Sequence, residues 1–334
     1  MLLEVEALYA RAPENVLQRG SYGLFGEAFF YFTLVAIAGR ILAGSTVLES
    51  MPVGKWGRLR RLLSRLSGRS EVAEKGEERM GKRESYEPGT FCWVDLTTTD
   101  SEGAKAFYGG LFGWEFRDDE IPGGVYTMCY GQGDAVAAIV QQDEHVAHWN
   151  NYVSVTSADE TAARAQQLGA TTIEEPFDVM EFGRMAVLAD PVGAMLCVWE
   201  PRAHPGAGRV NDVGCMSWNE LQTRDSEAAG DFYGGLFGWE TVPIEDEGSV
   251  VYTTVKNAGN QNGGFMPRAE QHGDAPSFWI PYFTVSSRDG AMEKTRDLGG
   301  AVLAGPLDLP AGKIAVLGDP QGAAFAVFEG ETDE

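Results

Sequence analysis

Histidine and cysteine are scarce in this chain, four of each among 334 residues, and neither type clusters. Cys92, Cys129, Cys197 and Cys215 stand singly, which excludes a zinc knuckle or a disulfide framework and fits a reducing, cytoplasmic setting. His145, His148, His204 and His272 lie near strand ends or in linkers and read as solvated surface groups, not as metal ligands. Basic residues are few as well, 26 against 49 acidic ones. Eleven of the basic and nine of the acidic residues fall in 1–79, so the body from residue 80 keeps 15 against 40, a net charge of −25. Such a surface repels phosphate backbones and anionic lipid, which excludes nucleic acid as a partner, and it attracts a cationic ligand. No dinucleotide fingerprint, phosphate-cradling loop or nucleophile–base pair is present. The glycine pairs Gly109-Gly110 and Gly234-Gly235 follow a helical stretch and do not link a strand to a helix.

A membrane span is disfavoured too. The candidate anchor at 22–44 contains the uncharged run Ala28–Gly39, well short of the roughly 18 to 20 residues that cross hydrocarbon. Lengthening it takes in Glu27 or Arg40, and the acidic Glu4 and Glu6 do not suit a signal peptide. Residues 1–85 therefore read as an extension, disordered or helical. Within it Lys75-Gly-Glu-Glu-Arg79 resembles a translated ribosome-binding site, which makes Met80 the expected true start.

What is present is a repeat. Phe107-Tyr-Gly-Gly-Leu-Phe-Gly-Trp-Glu115 recurs unchanged as Phe232-Tyr-Gly-Gly-Leu-Phe-Gly-Trp-Glu240, and Trp93-Val-Asp-Leu96 matches Trp218-Asn-Glu-Leu221 upstream of it. A second unit recurs separately: Leu168-Gly169 with Leu298-Gly299, Pro176 with Pro306, and Ala186-Val-Leu-Ala-Asp-Pro-Val-Gly-Ala194 with Ala315-Val-Leu-Gly-Asp-Pro-Gln-Gly-Ala323. The order is A-B-A′-B′. Units of about 50 residues are too small to close a core alone, so A is expected to complete itself with B and A′ with B′.

Each unit reads locally as a strand, a capped helix and three further strands. Asp100 and Asp225 are N-cap candidates, and Ser157-Ala-Asp-Glu160 has the form of a capping box. Gly169 and Gly299 suit helix C-termini, and Asp190–Gly193 and Asp319–Gly322 read as turns. With 42 glycines, 8 tryptophans and 11 tyrosines the chain is expected to be rich in short strands. The Gly- and Pro-rich stretch 202–212 separates a first domain at 89–201 from a second at 213–331.

These motifs together, Trp-x-[Asp/Glu]-Leu, the capped helix, Phe-Tyr-x-x-Leu-Phe-Gly-Trp and the terminal Asp-Pro-x-Gly-Ala strand, resemble tandem glyoxalase/bleomycin-resistance proteins of the vicinal-oxygen-chelate superfamily. The resemblance spans residues 89–331 and implies an α+β fold: two tandem domains, each pairing two βαβββ modules into a U-shaped, mostly antiparallel sheet. It also implies a concave ligand site. The shared FYGGLFGW block is expected to pack the core and end a helix. Metal-dependent relatives draw ligands from the first and last strands of their modules. The matching places here are Trp93, Trp218, Asn150, Ile280, Cys197 and Ala326, so no metal or other cofactor is expected, with Glu200 and Glu329 as the nearest alternatives for a divalent ion.

Strand parity then nominates the site. Residues two apart share a face, so Trp93 goes with Asp95, Trp218 with Glu220 and Gln222, and Asn150 with Tyr152. Ile280 goes with Tyr282, and Cys197 with Trp199. Each cup is expected to hold aromatic walls around one acid, a pattern suited to a hydrophobic or cationic small molecule. The more polar first cup is the preferred one. Asp95 and Glu220 are the candidate general bases if the chain is instead an isomerase, lyase or dioxygenase-like enzyme. The alternative is that they only hydrogen-bond neighbouring strands or an arginine such as Arg184. The chain is expected to act as a monomer of two pseudo-symmetric domains or as a homodimer.

Overall fold

The computed structural model describes residues 81–121, 124–142, 145–246, 248–268 and 276–332. The expectations for an extension at 1–85, an anchor at 22–44 and a start at Met80 therefore lie outside the described residues, apart from 81–85. Among the described residues no helix is long and apolar enough to cross a membrane.

The first domain runs β1 (Phe91–Thr98), α1 (Ser101–Phe112), β2 (Glu115–Ile121), β3 (Gly124–Gly131) and β4 (Asp134–Gln141), then β5 (His148–Ser154), α2 (Ala158–Gln167), β6 (Thr171–Val179), β7 (Gly183–Ala189) and β8 (Met195–Pro201). The second repeats this with β9 (Met216–Thr223), α3 (Ser226–Phe237), β10 (Glu240–Asp246), β11 (Ser249–Asn257) and β12 (Asn260–Pro267), then β13 (Phe278–Thr284), α4 (Arg288–Asp297), β14 (Ala301–Leu309), β15 (Gly312–Gly318) and β16 (Ala324–Glu329).

Two eight-stranded sheets result, ordered β2-β3-β4-β1-β5-β8-β7-β6 and β10-β11-β12-β9-β13-β16-β15-β14. The A and B units meet along the antiparallel pairs β1–β5 and β9–β13, as a half-sheet that cannot close its own core requires. Strand and helix ends follow local chemistry. Asp100 and Asp225 accept the amide protons of Gly103 and Ala228, and Ser157 accepts that of Glu160. Gly113 and Gly238 end α1 and α3 at φ 75° and 76°, left-handed values that glycine adopts without a Cβ penalty.

The helix side of the sheets holds one apolar core that continues from domain to domain. Helix α1 packs on α4, and α2 on α3, so the helices of one domain rest on those of the other. The repeated motifs make this joint. Trp149 Nε1 donates to the Tyr108 hydroxyl at 3.1 Å, and Tyr108 donates across the domains to Asp319 of the second Asp-Pro turn at 3.1 Å. Its twin runs the other way: Trp279 Nε1 donates to Tyr233 at 2.9 Å, and Tyr233 to Asp190 at 2.8 Å. Trp114 and Trp239 donate their indole protons to the backbone oxygens of Gly214 and Gly89 in the opposite domain, at 2.8 and 2.7 Å. The FYGGLFGW block thus packs the core and ends a helix as expected, and in addition docks one domain on the other.

Candidate functional site

The helix-free face of each sheet forms the cup, and the strand register places the nominated residues there. Trp93 lies opposite Tyr152 and Asp95 opposite Asn150, while Tyr152 in turn neighbours Cys197. In the second domain Trp218 faces Tyr282, Glu220 faces Ile280, and Gln222 faces Phe278. The parity argument therefore brings together Trp93, Asp95, Asn150, Tyr152 and Trp199 in one cup, and Trp218, Glu220, Gln222 and Tyr282 in the other.

Asp95 is the hub of the first cup. Its carboxylate accepts from the Tyr152 hydroxyl at 2.7 Å, from Asn150 Nδ2 at 2.8 Å and from the Tyr126 hydroxyl at 3.0 Å. Asn150 also reaches Thr97 Oγ1 at 3.1 Å, and Trp93 Nε1 holds the Tyr126 oxygen at 3.1 Å. The second cup repeats the plan with a longer acid. Glu220 Oε1 accepts from Gln222 at 2.6 Å and from the Tyr282 hydroxyl at 2.9 Å, and Tyr252, held by Trp218 Nε1 at 2.9 Å, also bonds to the carboxylate. Tyr252 reaches it by lying over Gly264 of the neighbouring strand, where any Cβ would stand 2.0 Å from its hydroxyl oxygen. Arg184, one alternative partner for these acids, is engaged instead by Asp159 and Asp178.

Burial is the largest influence on the acidity of both carboxyls, with the nearby His148 pulling the other way on Asp95 as the smallest contribution. Asp95 is pushed above the usual carboxylate range by desolvation, against the opposing pull of the Asn150, Tyr152 and Tyr126 donors. Glu220 is pushed up to about 7 by the same desolvation, partly offset by Tyr282, Tyr252 and Gln222. Glu220 is thus poised to gain or lose a proton near neutrality, in contact with two hydroxyl groups that can pass it on.

Parity reasoning missed Tyr126 and Tyr252 because they come from β3 and β11, strands it did not place. A signal existed: Val125-Tyr-Thr127 recurs as Val251-Tyr-Thr253. It also misread His204, expected at the surface. The 202–212 segment folds back over the first cup, and the imidazole is largely buried against Trp93 and Trp199. Tight approach and hydrogen bonding override the solvent-seeking habit of a linker histidine.

Metal-binding relatives make a divalent ion worth testing against the donor set. Of the six ligand places, Trp93, Trp218, Ile280 and Ala326 offer no lone pair, Asn150 offers an amide oxygen and Cys197 a thiol whose pKa burial raises, and each cup supplies a single carboxyl already held by neutral donors. Glu200 and Glu329 are taken up elsewhere: they accept the first amide protons of α2 and α4, from Ala158 at 3.0 Å and Arg288 at 2.8 Å, and Glu329 also pairs with Lys313. Among the described residues no three His, Cys, Asp or Glu side chains converge. These residues do not fit a divalent ion in either cup.

Two family models match the chain: a glyoxalase-like domain over residues 93–199, and the glyoxalase/bleomycin resistance protein/dioxygenase superfamily over 215–327. The chain belongs to this superfamily, the vicinal-oxygen-chelate proteins, as a tandem member. The Mycobacterium tuberculosis protein named "Putative glyoxylase CFP32" is 37% identical over 258 residues, covering 75% of this chain and 98% of that one. The anthracycline biosynthesis protein DnrV of Streptomyces peucetius is 33% identical over 261 residues, 73% of this chain and 94% of the relative. In fold the chain is similar to the Mn(II)-bound glyoxalase of Novosphingobium aromaticivorans, with TM-score 0.52, 15% identity and 74% and 85% of the two chains covered. It is equally similar to the 2,3-dioxygenase LapB of Pseudomonas sp. KL28, with TM-score 0.53, 16% identity and coverage of 75% and 93%.

Proposed function

We propose that this protein binds a flat, mainly apolar small molecule in its cups without the help of a divalent ion. The observation that carries the reading is a buried carboxyl, hydrogen-bonded by two tyrosines, between tryptophan-bearing walls, built in both domains. Aromatic walls supply affinity, and the acid with its tyrosines supplies orientation for one polar group of the ligand. The strongly acidic body favours a neutral or cationic molecule over an anion. A relative named an anthracycline biosynthesis protein supports a small molecule as the ligand.

A second reading has an observation of its own. Glu220, pushed up to about 7, has the acidity of a general base working at neutral pH on an acidic C–H next to a carbonyl. In that case Glu220 takes the proton, and Tyr282 and Tyr252 hold the carboxyl in place and donate to it as its charge changes.

Titrating the full chain with aminoanthraquinone while following tryptophan fluorescence tests the first reading. Saturable quenching, unchanged after EDTA treatment and dialysis, is the expected result. Binding that disappears with EDTA and returns with added metal, or no saturable binding at all, contradicts it.

A further inference from the structure

The two cups are built to one plan but do not end alike. In the first, the chain after β8 turns back: Arg202 and His204 donate their backbone N–H groups to Phe182 O, each at 3.0 Å, and Trp199 Nε1 donates to His204 O at 2.9 Å. The His204 ring is set edge-on to Trp93, 4.6 Å between centroids and 85° between planes, and lies 5.9 Å from the Trp199 ring. Under it Trp93 is 3% exposed and Trp199 5%. Beyond His204 the strap is fixed by Tyr86, whose hydroxyl donates to Ala207 O at 2.6 Å, and by Arg209 paired with Asp134.

The His204 ring contributes little as a polar group. Its Nε2 atom is buried without a hydrogen-bond partner, and burial pushes its pKa down to about 4, so it sits in the cup as a neutral, flat heteroaromatic ring. In the second cup the corresponding walls are Trp218 and, in place of Trp199, Phe328. Both remain partly exposed, as does Ile314 beside them. Among the described residues no ring is stacked on Trp218 or Phe328. The wall tryptophan is tied to the acid in the same way in both cups, through Tyr126 to Asp95 and through Tyr252 to Glu220.

We infer that His204 is a built-in ligand that closes the first cup, and that the second cup is the one open to a free molecule, whose neutral planar aromatic ring takes the place over Trp218 that His204 takes over Trp93. This rests on the small-molecule reading above and deepens it. It also reverses the sequence-based preference for the first cup: polarity made that cup attractive, but the chain itself fills it.

The full chain is titrated with aminoanthraquinone by calorimetry and fluorescence, alongside Trp218→Ala and His204→Gly. One probe per chain is expected, weakened about tenfold or more by Trp218→Ala; two equal sites, or one that ignores Trp218→Ala, overturns the assignment. His204→Gly is expected to gain a second site. Independently of any probe, free imidazole should raise the melting temperature of His204→Gly by on the order of a few degrees and leave the parent unchanged. Absence of that rescue overturns the built-in ligand even where probe binding stands, and if His204→Gly does not fold, the parent's stoichiometry and the Trp218→Ala comparison still decide. Failure of every chain to bind the probe removes the reading on which the open cup rests, and the inference about the second cup falls with it.

Discussion

Replacing Glu220 with glutamine should flatten the pH dependence of stability in a window set by the buried carboxyl. The group titrates at 4.5 in an ordinary setting and is pushed up to about 7 in the folded chain. Between these values the folded state binds more protons than the unfolded one, so stability falls as pH rises through the window and levels off above about 7. At about 1.4 kcal/mol per pH unit, the difference amounts to about 3 kcal/mol. Glutamine keeps an oxygen for Tyr282 to donate to but does not titrate. The assay is urea unfolding of parent and Glu220→Gln at several pH values from 5 to 8. Asp95, Asp190 and Asp319 are also raised by burial and titrate in both proteins, so the quantity to follow is the difference between the two curves. Relative to the parent, the variant should gain about 3 kcal/mol across the window, a midpoint shift of roughly 1 to 3 M for slopes typical of urea. Parallel curves would show that Glu220 is not desolvated, and would remove the basis for its role as a base.

Two further outcomes follow from the domain joint and the strap. Tyr233→Phe leaves Asp190 Oδ2 and the Trp279 indole N–H without this partner, and should cost roughly 1 to 3 kcal/mol in denaturant unfolding; Tyr108→Phe should do the same to Asp319 Oδ2 and the Trp149 indole N–H. Gly113→Ala places a Cβ in open space at φ 75° and should cost about 1 kcal/mol, whereas Gly206→Ala drives a Cβ to 2.5 Å from Cys92 O and should lower the melting temperature much further.

How much of this was legible in the sequence depended on the range of the physics involved. Caps and turns were readable because a side chain satisfies a backbone group a few residues away: Asp100, Asp225, Gly169, Gly299 and the two Asp-Pro turns all stand where local chemistry puts them. The cup face followed from the two-residue period of strands. Tyr126 and Tyr252 escaped because they reach the acids from β3 and β11, across a register that period alone does not fix; bulges interrupt the pairing of both strands with their neighbours β4 and β12. Glu200 and Glu329 sat close enough to ligand places to compete for that role, and only the fold reveals that each, from the last strand of its domain, accepts the first amide proton of a helix.

The joint between domains and the closed first cup share a cause of illegibility. An internal repeat reports that two segments are equivalent, but it does not report which copy touches which. Tyr108 and Tyr233 occupy identical motifs, yet each gives its hydroxyl proton to the Asp-Pro turn of the other domain, so each half completes its neighbour. The same equivalence is broken at the linker. A stretch of Gly, Pro and Ala between repeats reads as a spacer, whereas its glycines let it lie close enough to β1 for Ala207 to donate to Cys92 O at 2.8 Å and for Gly206 to pass where a Cβ could not. Duplication therefore made two cups. The segment joining them lies over the first and leaves Trp218 and Phe328 of the second partly exposed.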